Sequence, residues 1–299
     1  MLHHNSCQVC GSKDIVLLHT CTDHLVTGAD FDIFTCRTCG FRFTQDIPDE
    51  ADSGKYYESP EYISHTDSKK TIFERIYQVV RGYMLGRKKK LTLVSTSMAK
   101  GNLLDIGSGT GHFLETMNRS GWDVTGIEVS TSARDYSAGK FGLKVFGPGH
   151  IHNLPDGHFD CITMWHVAEH IYDIKGYFSE AARMLRPGGK MVIALPNCDS
   201  FDAVHYSKDW AAWDVPRHLW HFSPLVFRSF LNENGFRLIE ERILPFDVFY
   251  ISILSEKQRG SKPGFVTGMI KGLYFSFLSF FNRGRASSLV YIACKGPDQ

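Results

Sequence analysis

Net charge is almost absent from this sequence. Its 33 lysines and arginines face 32 aspartates and glutamates, which leaves a formal charge of +1 over 299 residues. That balance supplies no broad basic field for a polyanion, so nucleic acid is not an expected partner unless a local patch provides for it. A charged-then-apolar leader is also lacking: the chain starts MLHHNSC, which is not the layout of a secretory signal. Internal repeats and low-complexity segments are missing. Long apolar runs are scarce. The nearest is GFVTGMIKGLYFSFLSFF at 264–281, which is short for a bilayer span and carries Lys271. The expected setting is the cytoplasm. With 43% apolar and 22% charged residues, the composition is that of a globular chain with one large domain or two unequal ones.

Cysteine, by contrast, is present eight times, in a pattern. Cys7-x-x-Cys10 and Cys36-x-x-Cys39 form two knuckles, each followed by glycine, with 25 residues between them. In a reducing compartment such pairs serve as metal ligands rather than disulfides. They predict a structural four-cysteine Zn(2+) site with no open position. His19, Cys21 and His24 lie between the knuckles as substitute ligands. Cys161, Cys198 and Cys294 are scattered and read as core residues. Residues 1–48 are therefore expected to form a zinc ribbon.

Residues 49–99 read as a helical linker or cap, with apolar side chains recurring at three and four through TIFERIYQVVRGYMLGRKKKLTLV. The basic run Arg87–Lys90 reads as a solvated helix end. From 100 onward the pattern alternates. NLLDIG, WDVTGIE, LKVFG, HFDCITMW and GKMVIALPN are strand-like. HFLETMNRSG, STSARDYSAGKFG and IKGYFSEAARML are helical, and SPLVFRSFLNENG, FRLIEERIL and SSLVYIACK follow. The alternation predicts an α/β fold with a largely parallel sheet covered on both faces.

The most informative stretch is LLDIGSGTGHF, Leu103 to Phe113. A buried strand runs into glycines and then a helix, the place where an open parallel sheet binds ligands. The dinucleotide spacing G-x-G-x-x-G would need glycine where His112 stands. The spacing here is Asp105-x-Gly107-x-Gly109-x-Gly111, with Ser108 inside it. An acid two residues ahead of the first glycine would repel a pyrophosphate, but it suits an ammonium group. Glu128, at the end of the next strand, can accept both hydroxyls of a ribose. A nucleoside bearing a cationic amino-acid tail and no phosphate is S-adenosyl-L-methionine.

A third motif competes with that reading. MWHVAEHI carries His166, Glu169 and His170 in the H-x-x-E-H spacing of inverted zincin peptidases. That motif needs a helix through both histidines, yet the segment falls just past a strand, and no third ligand follows downstream. The peptidase reading is set aside on those grounds.

LLDIGSGTGHF, GIEVS, LPDGHFDCITMWHVAEHI and MLRPGGKMVIALPN resemble, in order, the successive motifs of class I S-adenosylmethionine-dependent methyltransferases, over about 101–294. The resemblance implies a Rossmann-like seven-stranded sheet whose sixth and seventh strands flank a helical insertion at about 256–285. It implies that Asp105, Gly107, Ser108, Gly109 and Gly111 hold the amino-acid end of the cofactor and Glu128 the ribose. Where many relatives carry an acid near the adenine, this chain has His150 and His152. Some members that methylate hydroxyls in quinone biosynthesis carry Glu-x-x-Glu-His where His166, Glu169 and His170 stand. That likeness makes His166 the first candidate for a general base and His170 the second. In this fold the loop after the fifth strand commonly builds the acceptor site, which implies an acceptor pocket from Trp210, Trp213, His218 and His221.

The expectation is an enzyme that methylates a small-molecule or lipid-like acceptor at oxygen or carbon. An RNA methyltransferase and a non-catalytic cofactor-binding scaffold are the alternatives. Segment 264–281 reads as an amphipathic helix with three open roles: packing inside the chain or in a homodimer, a lid, or contact with a membrane surface.

Overall fold

The computed structural model describes residues 1–57 and 72–296, with the side chains of 72–81 outside that description. The middle of the expected linker therefore lies outside the described residues. Three N-terminal strands, β1 (Ile15–Thr22), β2 (Asp30–Cys36) and β3 (Arg42–Thr44), pair antiparallel in succession. Helix α1 (Ile72–Thr96) leads into the alternating unit: β4 (Asn102–Ile106), α2 (His112–Asn118), β5 (Asp123–Ile127), α3 (Thr131–Phe141), β6 (Lys144–Phe146), β7 (Phe159–Trp165), α4 (Ile174–Met184) and β8 (Leu185–Pro196). Then come α5 (Phe201–Tyr206), β9 (Trp220–His221), α6 (Pro224–Glu233), β10 (Phe236–Ile243), α7 (Asp247–Gln258), α8 (Gly264–Phe281) and β11 (Ser288–Lys295).

Seven strands form one mixed sheet in the order β10-β11-β8-β7-β4-β5-β6. The run from β8 to β6 is parallel, and β11 lies antiparallel between β8 and β10. This is the expected α/β architecture. All seven residues of β7, FDCITMW, are buried, as a central strand covered on both faces requires. Helix α4 buries Ile174, Phe178 and Ala181, spaced four and three apart, and starts where Asp173 accepts the Gly176 N–H. Ser130 caps α3 in the same way.

The N-terminal module does not stand apart. β9 extends its sheet to β1-β2-β3-β9, pairing Phe43 with Trp220 and Arg42 with His221. Phe41, stacked on Trp220 with ring centroids 5.9 Å apart, and Phe43 are both buried. A two-residue strand carries no periodic signal, so this junction was not legible in the sequence.

Between β10 and β11, α8 packs on α7 through its small residues. A Cβ added at Gly268 would lie 2.5 Å from the Cα of Ile253, so only glycine permits this approach. Gly272 and Ser279 are buried on the same face. The large residues are open: Phe265, Ile270, Leu273, Phe277, Phe280 and Phe281 are each at least 60% exposed.

Candidate active site

β4 ends at Ile106, and the chain turns through three glycines into α2. Gly107 has φ 73°, and a Cβ there would lie 2.3 Å from Cγ2 of Val167. No larger residue fits. The Gly107 and Ser108 N–H groups donate to the Ile127 carbonyl at 2.7 and 3.1 Å, which folds the loop back over the end of β5. Glu128 stands at that end, 9% exposed. Its Oε2 accepts the Gly109 N–H at 2.7 Å and its Oε1 the Ser130 N–H at 2.8 Å. Each oxygen keeps a further lone pair for a ligand hydroxyl. A Cβ at Gly109 would meet nothing within 4 Å among the described residues, which leave the loop open on that side.

Asp105 lies beneath the loop, 2% exposed, with Oδ1 accepting the Thr163 hydroxyl at 2.5 Å. Burial pushes its carboxyl up to about 7, against the Thr163 hydrogen bond and the nearby Lys88 ammonium. A buried acid in that state gains from a second cation, which fits an ammonium-bearing ligand. Lys88 was not legible as part of the site. Helix α1 packs across β7 and β8, which turns Lys88 inward to stand 4.8 Å over the Trp165 ring. Burial lowers its pKa, and Asp105 and Asp247 oppose that shift.

The turn after β7 holds the histidines. His166 has φ 58°, a left-handed conformation that is strained for a non-glycine residue and that stops any helix from continuing from the strand. Only Ala168–His170 form a short 3-10 turn. His166 Nε2 lies 2.9 Å from Oδ2 of Asp247, the first residue of α7, and Nδ1 lies 3.5 Å from Oε1 of Glu169. Burial alone would lower the His166 pKa, but the two carboxylates outweigh it and push it up to about 10. His170 is different. Its Nδ1 sits 2.9 Å from the Arg217 carbonyl and 3.2 Å from the Tyr57 hydroxyl, and burial, with His218 nearby, pushes its pKa down to about 4. His150, one of the two histidines near the expected adenine end, stacks on Phe146 with ring centroids 4.0 Å apart.

Trp210, Trp213, His218 and His221 do come together, but as packed interior, each 9% exposed or less. The indoles are tied down: Trp210 donates to Asp202 and Trp213 to the Ser207 carbonyl. His221 Nε2 meets the Thr44 hydroxyl at 3.0 Å, a contact into the N-terminal module. The gap lined by Glu169, Trp210, His218, Trp220 and His221 has room for about one water-sized group.

The four knuckle cysteines converge, with one sulfur of each within 4.8 Å of all the others. Cys7 and Cys39 sulfurs are 3.6 Å apart, as are those of Cys10 and Cys36. Tetrahedral Zn–S bonds of about 2.3 Å would set sulfurs roughly 3.8 Å apart, so the cage fits that ion. Cys21 lies outside the cage and donates to the Lys208 carbonyl.

Residues 77–241, more than half of the chain, match the family described as a methyltransferase domain. Among curated proteins, the chain is 33% identical to a demethylmenaquinone methyltransferase of Tropheryma whipplei over 30% of this chain and 40% of that one. It is 30% identical to a ubiquinone biosynthesis O-methyltransferase of Maricaulis maris over 46% of this chain and 59% of that one. The chain thus spans about half the length of these relatives. Among solved structures it resembles geranyl diphosphate C-methyltransferase of Streptomyces coelicolor, with TM-score 0.50 and 15% identity over 78% of this chain and 87% of that one. A phosphoethanolamine N-methyltransferase 2 of Haemonchus contortus gives TM-score 0.50 and 16% identity over 71% and 53%. These structural likenesses carry the fold.

Proposed function

This chain belongs to the methyltransferase-domain family, and we propose that it transfers the methyl group of S-adenosyl-L-methionine to a small-molecule or lipid-like acceptor, at oxygen or carbon. The observation that carries this reading is the cradle at the carboxyl ends of β4 and β5. There a buried Asp105, the open Gly107–Gly111 loop and the outward lone pairs of Glu128 match an ammonium at one end and a ribose at the other. The bound cofactor supplies an electrophilic methyl carbon for in-line displacement. The protein's share is to align the acceptor and manage its proton.

His166 is the residue we assign to that proton, with His170 as the second candidate. Both His166 nitrogens face carboxylates that keep the ring protonated, so His166 first passes its Nε2 proton to Asp247, and an acceptor hydroxyl then takes the place of Asp247 and gives its proton to Nε2. Trp210, Trp213, His218 and His221 form the wall of the acceptor side. The four cysteines hold a structural Zn(2+), which fixes the module that contributes Thr44 to this wall. The open apolar face of α8, with exposed Lys262 and Arg283 beside its ends, suits an anionic membrane surface, from which a lipid-like acceptor would be taken.

The test is transfer of isotope from methyl-labelled cofactor to an extract of cells lacking this protein. Label in solvent-extractable small molecules supports the reading. Label confined to RNA, or no transfer despite cofactor binding, overturns it.

A further inference from the structure

Glu169 is 1% exposed, and neither of its oxygens has a hydrogen-bond partner among the described residues. Burying a carboxylate without partners is costly, so something must answer its charge. His166 answers it only in part. Its short contact goes to Asp247, and the 3.5 Å left to Glu169 is a Coulombic approach rather than a hydrogen bond.

Two imidazoles face the same point. One ring nitrogen each of His170 and His218 and one Glu169 oxygen lie within 4.8 Å of one another. The two rings are 4.6 Å apart at 77°. His170 Nδ1 sits 2.9 Å from the Arg217 carbonyl, and His218 Nδ1 sits 2.8 Å from the Ala212 carbonyl. A carbonyl only accepts, so each Nδ1 carries the hydrogen and each Nε2 keeps its lone pair. Imidazoles pinned through Nδ1 to a carbonyl, with Nε2 free, are the arrangement that metal-binding histidines use. Asp214 Oδ2 stands 3.7 Å from His218 Nε2, beyond hydrogen-bond reach, and Asp214 Oδ1 is taken by Arg217.

We propose that Glu169, His170 and His218 form a second metal site, for a divalent transition cation, distinct from the four-cysteine cage. Two imidazoles and a carboxylate suit borderline divalent ions. Bonds of about 2.0–2.2 Å would bring the ligand atoms roughly 3.5 Å apart, a closing movement on the order of 1 Å. The adjoining gap, with room for about one water-sized group, accommodates it. Two loops carry the ligands and are locked together. The Leu219 N–H donates to the Glu169 carbonyl at 2.8 Å. Arg217, whose carbonyl holds His170, is itself clamped by Asp23 and Asp214. The N-terminal module thereby helps to set the site. His166 is not a ligand, so the peptidase-like H-x-x-E-H spacing is not used as a peptidase would use it.

Three protein ligands leave a coordination position open. The adjoining gap has room for about one water-sized group, so the group expected at that position is a water molecule. The ion does not depend on the proposed methyltransferase reaction.

The test is a titration of the full chain, zinc already in its cysteine cage, with Co(2+) followed by visible absorption. The expected result is saturable uptake of one further equivalent, with ligand-field bands and no thiolate charge-transfer band. His218→Ala and Glu169→Gln should each weaken uptake by at least about tenfold, with far-UV circular dichroism unchanged. No further uptake by the wild-type chain, uptake only with thiolate bands, or unaltered uptake in both variants overturns the proposal. X-ray absorption on the wild-type complex decides independently of whether the variants fold: nitrogen and oxygen ligands support the site, and sulfur ligands alone sink it. A chain that binds cobalt but transfers no methyl group contradicts the proposed reaction and leaves the ion site standing.

Discussion

His166 Nε2 lies 2.9 Å from Asp247 Oδ2, which ties the strained turn after β7 to the first residue of α7. The insertion between β10 and β11 thus reaches the centre of the candidate active site. If His166 handles the acceptor proton, His166→Ala should lower turnover by about 10²–10⁴-fold while cofactor affinity stays nearly constant. Asp247→Asn should lower turnover by roughly tenfold or more through loss of orientation. Parallel turnover and S-adenosylhomocysteine binding measurements check both, and a fully active His166→Ala variant removes the assigned role.

Asp105 links stability to pH. Its folded pKa of about 7 lies above the ordinary carboxylate value of 3.8, so the native state holds the proton more tightly than the unfolded chain. Stability from this group is therefore lost as pH rises from about 4 to about 7, and the cost is complete above that window. Asp105→Asn should raise the Tm of the cofactor-free protein at pH 8, with a smaller gain at pH 5. The same variant should bind S-adenosylhomocysteine at least about 10²-fold more weakly. Thermal scans at the two pH values, with and without ligand, show whether the two effects oppose each other.

If the four-cysteine cage holds Zn(2+) as proposed, the ion should stabilise more than its own module, because β3 pairs with β9, which precedes α6. Metal removal by a chelator, or Cys36→Ser, should lower the Tm of the whole chain in a single transition. A separate early transition that leaves the main one unmoved would show that the module melts alone.

The open face of α8 gives a fourth expectation. Co-flotation with vesicles containing anionic lipid should be seen for the wild-type chain and fall at least tenfold in a Phe277→Ser, Phe280→Ser, Phe281→Ser variant. A wild-type chain that ignores vesicles but sediments as a dimer would assign the face to a second copy instead.

Much of the fold was legible because its signals are local. The parallel strands are short apolar runs bounded by turn residues, and the Asp105–Gly111 loop and Glu128 sit where a strand hands over to a helix. The residues that escaped notice owe their roles to distant partners. Lys88 looks like part of a solvated basic run until α1 is laid across β7 and β8. Asp247 begins a helix whose role is set by a turn 81 positions earlier in the sequence. How tightly Trp210 and Trp213 are packed was not legible either, because their indole N–H groups find partners that only the folded chain brings near.

The most direct measurement is calorimetric titration of S-adenosylhomocysteine into the wild-type protein and the Glu128→Ala variant. One bound equivalent in the wild type, lost or weakened by at least about 10²-fold in the variant, is the predicted result. No binding by the wild type, or equal binding by both, would contradict the assignment of the β4–β5 cradle as the cofactor site.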